Sequence, residues 1–586
     1  MAGLFDTFSI AKRGLQVNQS LINTTSHNIA NAETEGYSRQ RSVVETTTPS
    51  GGNSKFDTCT VGQVGTGSQI TAIQRIRDTF MDARVRNQKS ENGSLDVQDG
   101  YLGQVEDTVN ETADTGVQKA LSDFYTSFSS LSQGAATSSN KTVAIGKAST
   151  LVTKISDRYN DLETQKTDVQ SQLKADVTSV NDTLDDINTL NDQIKKVSSL
   201  GMSPNDLMDK RDNLLDTLST KLGITVTSGK DNTVGVTANE DTAAVGTLVN
   251  ATDATASTTR LSYYDPNATT DTYDSATQTL KVTYDKLGDS SNPTTISITG
   301  VTSQADADSL KADLEKNRIL ITDNNGDLTA ASASTISETD FKSAMYANTE
   351  KGEIGGHQTV QTQIQNSMDD LNTIAKSVAY TVNAIQTGSN TDGSVASDLN
   401  SSELVFVKDG TTSDDNISAA NIKVNSVLVG DSTKLNSGSS TSAGEADGTR
   451  ALAISNISSL KINYTNSGVA SATTRNGFLS AAGITFDTSS INNSNLTGGA
   501  TGTTITNYYI SALSKLDTNA KKVSDNLTTA ETSMNDLVNQ RTSVSGVSTD
   551  EESTNLIEYN HAYQANAKVI STINNLLDVV INGLGV

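Results

Sequence analysis

Few residues in this sequence have a type and spacing that could do chemistry. The three histidines are His27, His357 and His561, and none is followed by glutamate, so the zinc-protease pattern His-Glu-x-x-His is absent. The consecutive acids at 550–552 suit the start of a helix better than a catalytic carboxylate pair. The sequence therefore predicts no catalytic, cofactor-binding or metal-binding residues.

Two short motifs have weak alternatives. The glycine-rich stretch VGQVGTG (61–67) lacks the Lys-Ser/Thr of a phosphate-binding loop, which favours turns. The stretch DNNGD (323–327) lacks the spacing and closing glutamate of a calcium loop, which favours a hairpin turn. NTDGS (390–394) also suits a hairpin turn. A hydrolase within the middle of the chain remains an alternative, because missing motifs do not exclude one.

Charge and composition narrow the class of partner. The 586 residues include 43 Lys plus Arg and 68 Asp plus Glu, a formal net charge of −25. That charge repels phosphate backbones and anionic lipid, so we expect neither nucleic acid nor membrane as a partner. The sequence contains no run of about 18 apolar residues, so we expect no membrane-spanning helix. The opening residues lack the apolar stretch of a cleaved signal peptide, so we expect none. Cys59, the single cysteine, cannot form an internal disulfide, and the sequence assigns it no role.

The elements that position any functional residue are clearest at the two ends of the chain. The first 30 residues carry a heptad repeat, which predicts an amphipathic helix. One core position holds Phe8, Leu15, Ile22 and Ile29, and the other holds Leu4, Ala11, Asn18 and Thr25.

The last 38 residues or so repeat the pattern. One core position holds Leu556, Tyr563, Ile570, Leu577 and Leu584, and the other holds Tyr559, Asn566, Ile573 and Val580. Thr549 and Glu552 fit a capping box at the start of this helix. An isolated helix with an apolar stripe is marginal in water, so we expect the two stripes to pack together. Because each seam has small or polar members, we expect part of each apolar stripe to stay uncovered and to pack against neighbouring subunits. The alternative is that the two helices form an ordinary intramolecular hairpin and contact no other subunit.

Between the ends, the sequence predicts a multidomain α+β protein with a helical core and β-rich inserted outer domains. Helical spacing covers most of 78–225, with a seam along 162–194, and also 358–386 and 507–543. Ser203, Pro204 and Gly223 mark the start and the stop of one of these helices. Alternating strands are predicted at GITVTS, TLKVTYDKL, TTISITGV and SLKINYTNSG.

These patterns divide the chain into four regions. Residues 1–45 with 541–586 would form a terminal coiled-coil domain. Residues 46–228 with 351–389 and 506–540 would form a mainly helical middle domain. Residues 229–350 would be a first β-rich insert, and 390–505 a second inserted outer domain.

The stretch HNIANAETEGYSRQ (27–40) carries a family resemblance. It is similar to the N-terminal signature of bacterial flagellar axial proteins, the rod, hook and hook-associated proteins, with matches at Asn28, Ile29, Ala30, Asn31, Thr34, Gly36 and Tyr37. The adjoining SRQ, together with 65–90, 204–219 and 541–572, resembles the hook-associated members at the hook–filament junction. The resemblance covers both ends and the helical middle, and is poor in the inserts.

We interpret residues 27–40 as a structural joint between an inner helical layer and the next domain. Asn28 and Asn31 favour side-chain bonds to the backbone at a helix exit, Gly36 lets the chain turn, and Tyr37 anchors the extended residues after it. The alternative is a connector that serves only its own chain.

The resemblance implies a non-enzymatic structural component of the flagellum. It implies export through the flagellar type III apparatus to the outside of the cell. It implies assembly as a homo-oligomeric ring, with the hook protein and a second junction protein as partners. It also implies a cytosolic export chaperone that binds the C-terminal helix, here through Leu556, Tyr559, Tyr563, Ile570 and Leu577. A secreted surface adhesin with binding in the inserts is the alternative.

Overall fold

The computed structural model describes twelve segments of the chain. They are 2–47, 65–109, 115–238, 246–252, 258–266, 271–331, 334–346, 351–388, 403–439, 444–487, 495–499 and 501–583. Cys59 and the predicted NTDGS turn lie outside these segments. No helix within them is both long enough and apolar enough to cross a membrane.

Long helices dominate the described segments, and they cover the predicted helical stretches. The helices are α1 Ala2–Ala30, α2 Thr79–Val109, α3 Val117–Gln133, α4 Ser138–Ser198, α5 Asn205–Lys221, α6 Gln304–Asn317, α7 Glu338–Ala344, α8 Gly352–Thr387, α9 Ser426–Gly430, α10 Thr449–Asn456, α11 Ser467–Ser471, α12 Arg475–Ala482, α13 Ile505–Ser545 and α14 Thr549–Gly583. The seam predicted along 162–194 is buried at each of its positions in α4.

The strands are short and form separate small sheets. They are β1 Gln40–Thr46, β2 Ser68–Arg75, β3 Ile224–Ser228, β4 Val234–Ala238, β5 Thr247–Val249, β6 Arg260–Tyr263, β7 Thr272–Asp274, β8 Thr279–Asp285, β9 Pro293–Thr299, β10 Ile319–Thr322, β11 Thr335–Ser337, β12 Met345–Tyr346, β13 Phe406–Lys408, β14 Ile422–Val424, β15 Thr485–Phe486 and β16 Leu496–Thr497. The strands predicted at GITVTS, TLKVTYDKL and TTISITGV are confirmed as β3, β8 and β9.

The chain divides into two compact units. The first unit comprises Met1–Ser94, Lys174–Gly355 and Thr528–Val586, and the second comprises Leu95–Leu173 and Gly356–Leu527. A helical core with β-rich inserted regions, as the sequence predicts, describes the architecture.

In the first unit, the two terminal helices pack against each other. α1 contacts α14 along its length, and it also contacts the antiparallel ribbon β1–β2. Gly14 faces Asn566 closely, because a Cβ built there would lie 2.8 Å from Asn566 Oδ1. The prediction that the two terminal stripes pack together is confirmed.

The same unit contains a seven-stranded sheet and a three-stranded sheet. The larger has the order β11-β9-β8-β6-β10-β12, with β7 paired to β8; β11 and β9 are parallel and the other pairs are antiparallel. One hydrophobic core is formed where Leu310 and Leu314 of α6 and Phe341 of α7 pack with buried residues of this sheet. The smaller sheet, β3-β4-β5, comes directly after α5.

The second unit is built on one large apolar core. It joins α3 and α8 to α10 and α12, with Phe124, Phe128 and Tyr380 among its fully buried side chains. The strand pairs β13–β14 and β15–β16 are small additions to it.

Two local predictions of helix starts are wrong. α5 begins at Asn205 after Pro204, with no side-chain cap from Ser203. Its stop is as predicted, since α5 ends at Lys221, and Leu222 and Gly223 follow outside the helix. The capping residue of α14 is Ser548, whose Oγ accepts from the Glu551 amide at 3.4 Å, and not Thr549. The Glu552 side chain does not reach back to the helix start, since its carboxylate accepts from Asn28 and Arg39.

Two β predictions are also wrong. SLKINYTNSG forms no strand; only Ile462 makes an isolated bridge, to Thr503, and the rest packs as turns and α11. DNNGD is a turn but does not close a hairpin, because the strand before it pairs with β6 and β12. Asp323 accepts hydrogen bonds from the amides of Asn325 and Asp327, so the turn is closed locally.

Candidate functional site

Asn28 is the centre of the joint, the segment 27–40 at the end of α1. Its Oδ1 accepts from the Gln40 amide at 3.0 Å and from the Tyr37 hydroxyl at 2.8 Å. Its Nδ2 donates to the Gln40 carbonyl at 2.9 Å and to Glu552 Oε2 at 3.1 Å. An amide has two donors and one acceptor oxygen, so Asn28, which is 1% exposed, is fully satisfied. Aspartate or leucine could not make this set of bonds.

Tyr37 folds back over the end of α1. Its hydroxyl also lies 2.9 Å from His27 Nδ1, and the two rings are tilted with centroids 5.6 Å apart. Since the hydroxyl donates its single proton to Asn28, Nδ1 of His27 is the donor in the second contact. Burial, followed by the charges of Asp206, Asp209 and Glu552, raises the pKa of Tyr37 well above its usual range, so the hydroxyl keeps its proton.

Glu552 connects the joint to the first turn of α14. Its carboxylate, 2% exposed, accepts from Asn28 and from Arg39 Nε at 2.8 Å. The Arg39 amide donates to the Ser545 carbonyl at 2.9 Å, and Arg39 Nη1 reaches the exposed Glu551 at 3.2 Å. The exit of α1 is thereby attached to the entry of α14.

Two further signature residues shape the turn itself. Asn31 Nδ2 donates to the His27 carbonyl at 3.0 Å, and the Asn31 side chain accepts from Thr34 Oγ1 at 3.3 Å. Gly36 has φ of 73°, and a Cβ there would lie 1.7 Å from Asn213 Oδ1. A Cβ there would strain the left-handed backbone and displace the Asn213 side chain, which glycine avoids.

The first half of α5 holds the outgoing chain. Asp209 accepts from both the amide (3.1 Å) and the hydroxyl (2.8 Å) of Ser38. Gln40 Nε2 donates to Asp206 at 3.0 Å, and Asn205 Nδ2 donates to Gln40 Oε1 at 3.1 Å. The joint is therefore fixed on one side by α14 and on the other by α5.

Behind the joint lies a network of buried ion pairs. Its members are Arg75, Arg77, Arg86 and Arg541 with Asp82, Asp209, Asp212 and Asp216. Arg75 Nη1 lies 2.7 Å from Asp209 and 2.8 Å from Asp212. Arg77 contacts both oxygens of Asp82, at 2.7 and 3.1 Å. Arg86 and Arg541 bind the two oxygens of Asp216 at 2.9 and 2.6 Å.

The aspartates of the network keep their negative charge although they are buried. Burial alone would raise the pKa of Asp212, but Arg77 and Arg75 outweigh it and lower the pKa below the usual value. The same holds for Asp216, where Arg86 and Arg541 outweigh burial. These paired charges position chain segments, because each carboxylate already has its cation.

The predicted seam residues are buried to different degrees. In α1, the most buried seam members are Ala11 and Thr25, each 4% exposed, whereas Asn18 is half-buried. Half-buried members are Phe8, Leu15, Ile22 and Ile29. In α14, Ile573 is 4% exposed; Leu556, Tyr559, Tyr563, Ile570 and Leu577 are half-buried. Val580, predicted at a core position of the seam, is 39% exposed and is not covered by α1. The side chains of Leu4 and Leu584 lie outside the described part of the structure. Small residues allow the helices to approach, which leaves the larger ones at the margins.

A second apolar surface lies on α14, and we call it the outer face. It consists of Ile557, Val569, Leu576 and Val579, whose exposed fractions run from 41% for Val569 to 67% for Val579. Val580 and Ile581 are also exposed, at 39% and 69%, but their helical positions place them toward the seam. Val569, Leu576 and Val579 recur at helical spacing, so they share one side of the helix.

Sequence reasoning missed the acidic face of α5 and Glu552 as its counterpart on α14. Asp209, Asp212 and Asp216 recur at helical spacing within PNDLMDKRDNLLD, and Arg75 and Arg77 alternate before α2. Charges in such a pattern are usually solvated, but here they are buried. The described residues contain no group of three or more His, Cys, Asp or Glu that could hold a metal ion.

Comparisons with known proteins cover the whole chain. Residues 102–315 match the family described as the flagellar hook-associated protein FlgK helical domain. Residues 538–583 match the C-terminal family of flagellar basal body rod FlgEFG proteins.

Curated relatives are similar from end to end. Flagellar hook-associated protein 1 of Bacillus subtilis is 28% identical over 100% of this chain and 99% of its own. The proteins of the same name from Escherichia coli and Salmonella typhimurium are 26% and 27% identical, with 98% of each chain covered. A solved structure, the flagellar hook junction protein FlgK from Burkholderia pseudomallei, is 20% identical with a TM-score of 0.37, and the match covers 56% of this chain and 46% of that one.

Proposed function

We propose a mechanism of assembly for this chain, which is a structural junction protein of the bacterial flagellum, similar over its full length to flagellar hook-associated protein 1. The resemblance identified at residues 27–40 is confirmed by these relatives, and the adhesin alternative finds no support among them. The relatives are flagellar structural proteins and the chain associates with other axial proteins of the flagellum.

The mechanism is subunit packing by the α1–α14 pair. The outer face of α14 supports it, because this surface stays exposed after α14 has packed on α1. Burying one such side chain between subunits contributes about 1.5–3 kcal/mol, so several together outweigh the cost of ordering the contact. The proposed result is a homo-oligomeric ring outside the cell, between the hook protein and a second junction protein. We propose no enzymatic step, since the joint uses its polar groups to fix geometry.

The seam and signature residues have proposed roles in this packing. Phe8, Leu15, Ile22, Ile29 and their partners on α14 line the margins of the contact between the two helices, where a neighbouring subunit would cover them. Asn28, Asn31, Gly36 and Tyr37 fix the angle at which the pair leaves the rest of the first unit. The domain boundaries at 1–45 with 541–586 stay a prediction.

The test uses full-length protein and isolated hooks. A variant with Val569→Ser, Leu576→Ser and Val579→Ser should remain folded and monomeric but fail to add to hooks, measured by co-sedimentation. The matched control carries Leu200→Ser and Met202→Ser, which are 75% and 54% exposed outside α14. Equal assembly by both variants would remove the support for the outer face.

We also propose that a cytosolic export chaperone binds the seam side of α14. The residues Leu556, Tyr559, Tyr563, Ile570 and Leu577 are half-buried against α1, so the chaperone and α1 would compete for them. Tyr563→Ser should weaken chaperone binding to a 541–586 peptide, whereas Leu576→Ser should not. An α1 peptide that fails to displace the chaperone would contradict the competition.

A further inference from the structure

A cleft of about 420 Å³ opens beside the ion-pair network in the first unit. Its walls come from the end of β2, the start of α2, the middle of α5 and the strands β3 and β4. Its charged lining is Arg75, Arg77, Arg86, Arg211, Asp82 and Asp212. Neither the assembly surface nor the joint occupies this cleft.

The lining carries an excess of positive charge. Four arginines and two aspartates face it. The two other aspartates of the network are Asp209, which pairs with Arg75, and Asp216, which pairs with Arg86, Arg541 and, at 3.8 Å, Lys89. With Arg541 and Lys89 included, six cations stand against four aspartates. Two positive charges therefore remain, in a chain whose net charge is −25. Uncompensated buried cations are costly, which favours an anion as counter-charge.

Two guanidinium groups in the lining have hydrogen-bonding capacity left over. Arg86 and Arg211 are 6% and 3% exposed. Within the described segments, Arg86 Nη2 and Arg211 Nε are buried and have no hydrogen-bond partner. Arg86 Nη2 lies 3.6 Å from Asp212 Oδ1, which is beyond hydrogen-bond distance. Buried donors without partners are rare in proteins and call for a ligand or solvent.

The charge state of Arg211 agrees with this excess. Burial lowers its pKa to about 10, Asp212 opposes the change, and Arg75, Arg86 and Arg77 add to it. An anion beside Arg211 would offset both the burial and the repulsion between the arginines.

We propose that this cleft binds a small oxyanion, with guanidinium groups of Arg86 and Arg211 as donors. The planar fork of arginine matches the spacing of oxygens in carboxylate, sulfate and phosphate groups. Bound there, the anion ties α2 and α5 to the β3–β4 strands and stabilises the first unit by an amount that grows with the logarithm of its concentration above Kd.

Isothermal titration calorimetry on the full chain tests the proposal, with sodium sulfate and sodium succinate as separate probes at constant ionic strength. We expect saturable binding of at least one probe. Tighter binding of sulfate would indicate a preference for tetrahedral oxyanions, and tighter binding of succinate a preference for carboxylates. Arg211→Met should weaken binding about tenfold or more, as for loss of a charged hydrogen bond. Arg84→Met is its control, an exposed arginine nearby whose side chain does not line the cleft.

A second pair of variants leaves the buried network intact. Ser228 is exposed and lines the cleft, whereas its neighbour Thr227 is exposed but does not. Ser228→Glu should abolish binding by placing a carboxylate at the rim, and Thr227→Glu should bind as the parent does. The proposal is overturned if neither probe saturates, if sodium chloride gives the same heats, or if the two glutamate variants bind alike.

Discussion

Removing the carboxylate of Glu552 should release the joint from α14. Glu552→Ala deletes the acceptor for Asn28 Nδ2 and Arg39 Nε while leaving the helix N-terminus capped by Ser548. The side chain is buried, so water cannot replace it without a rearrangement. The joint should then open more often, although the two units keep their folds.

The size of the effect can be worked out from the two contacts. Each hydrogen bond to a charged group contributes about 1.5–3 kcal/mol, and breaking a buried ion pair costs about 3–5 kcal/mol. Arg39 is 26% exposed and keeps Glu551, so the lower part of that range applies. We expect about 3 kcal/mol, or about 100-fold more frequent opening.

Hydrogen exchange measures this opening locally, which suits a chain with two units better than a global melt. The reporters are the amides of Arg39 and Gln40, bound to the Ser545 carbonyl and to Asn28 Oδ1. The control is Glu551→Ala, which removes the same charge one residue away but is 65% exposed and should cost about 0–1 kcal/mol. If both variants accelerate exchange equally, the buried contact of Glu552 is not what holds the joint.

Three further changes test other parts of the first unit. Gly14→Val should destabilise the α1–α14 contact by about 1–3 kcal/mol through overpacking against Asn566. Asn566→Ala in the same chain should restore most of it, as read by exchange in α1; an unaffected single variant would contradict the close approach. Gly36→Ala should cost about 1–2 kcal/mol from its left-handed backbone alone, plus the cost of displacing the Asn213 side chain, and should lower the denaturant midpoint of the first unit. Acid should destabilise the same unit, because the pKa values of Asp212 and Asp216 lie below the usual aspartate value. Their contribution to the free energy of unfolding is complete above about pH 4. It is lost as the pH falls through the folded-state pKa values. Denaturant midpoints that stay level from neutral pH into strong acid would refute the network's role.

Periodicity and local chemistry determined much of this protein. The heptads at the two ends predict α1 and α14, and the longer seam predicts α4, because each depends only on residues three or four apart. Alternation predicts β3, β8 and β9 in the same way, and the signature at 27–40 is sufficient for the family resemblance. The prediction failed at SLKINYTNSG, where packing around Ile462 replaced a strand that local alternation favoured.

Only the tertiary structure decided which distant residues meet. Asn28 and Glu552 are separated by 524 positions, and no local pattern marks them as partners. The acids of α5 could equally have been a solvated face; they are buried because β2, α2 and the end of α13 bring arginines to them. Helical and strand periodicity is a property of neighbouring residues, whereas the choice of a buried partner depends on where the folded chain places both groups.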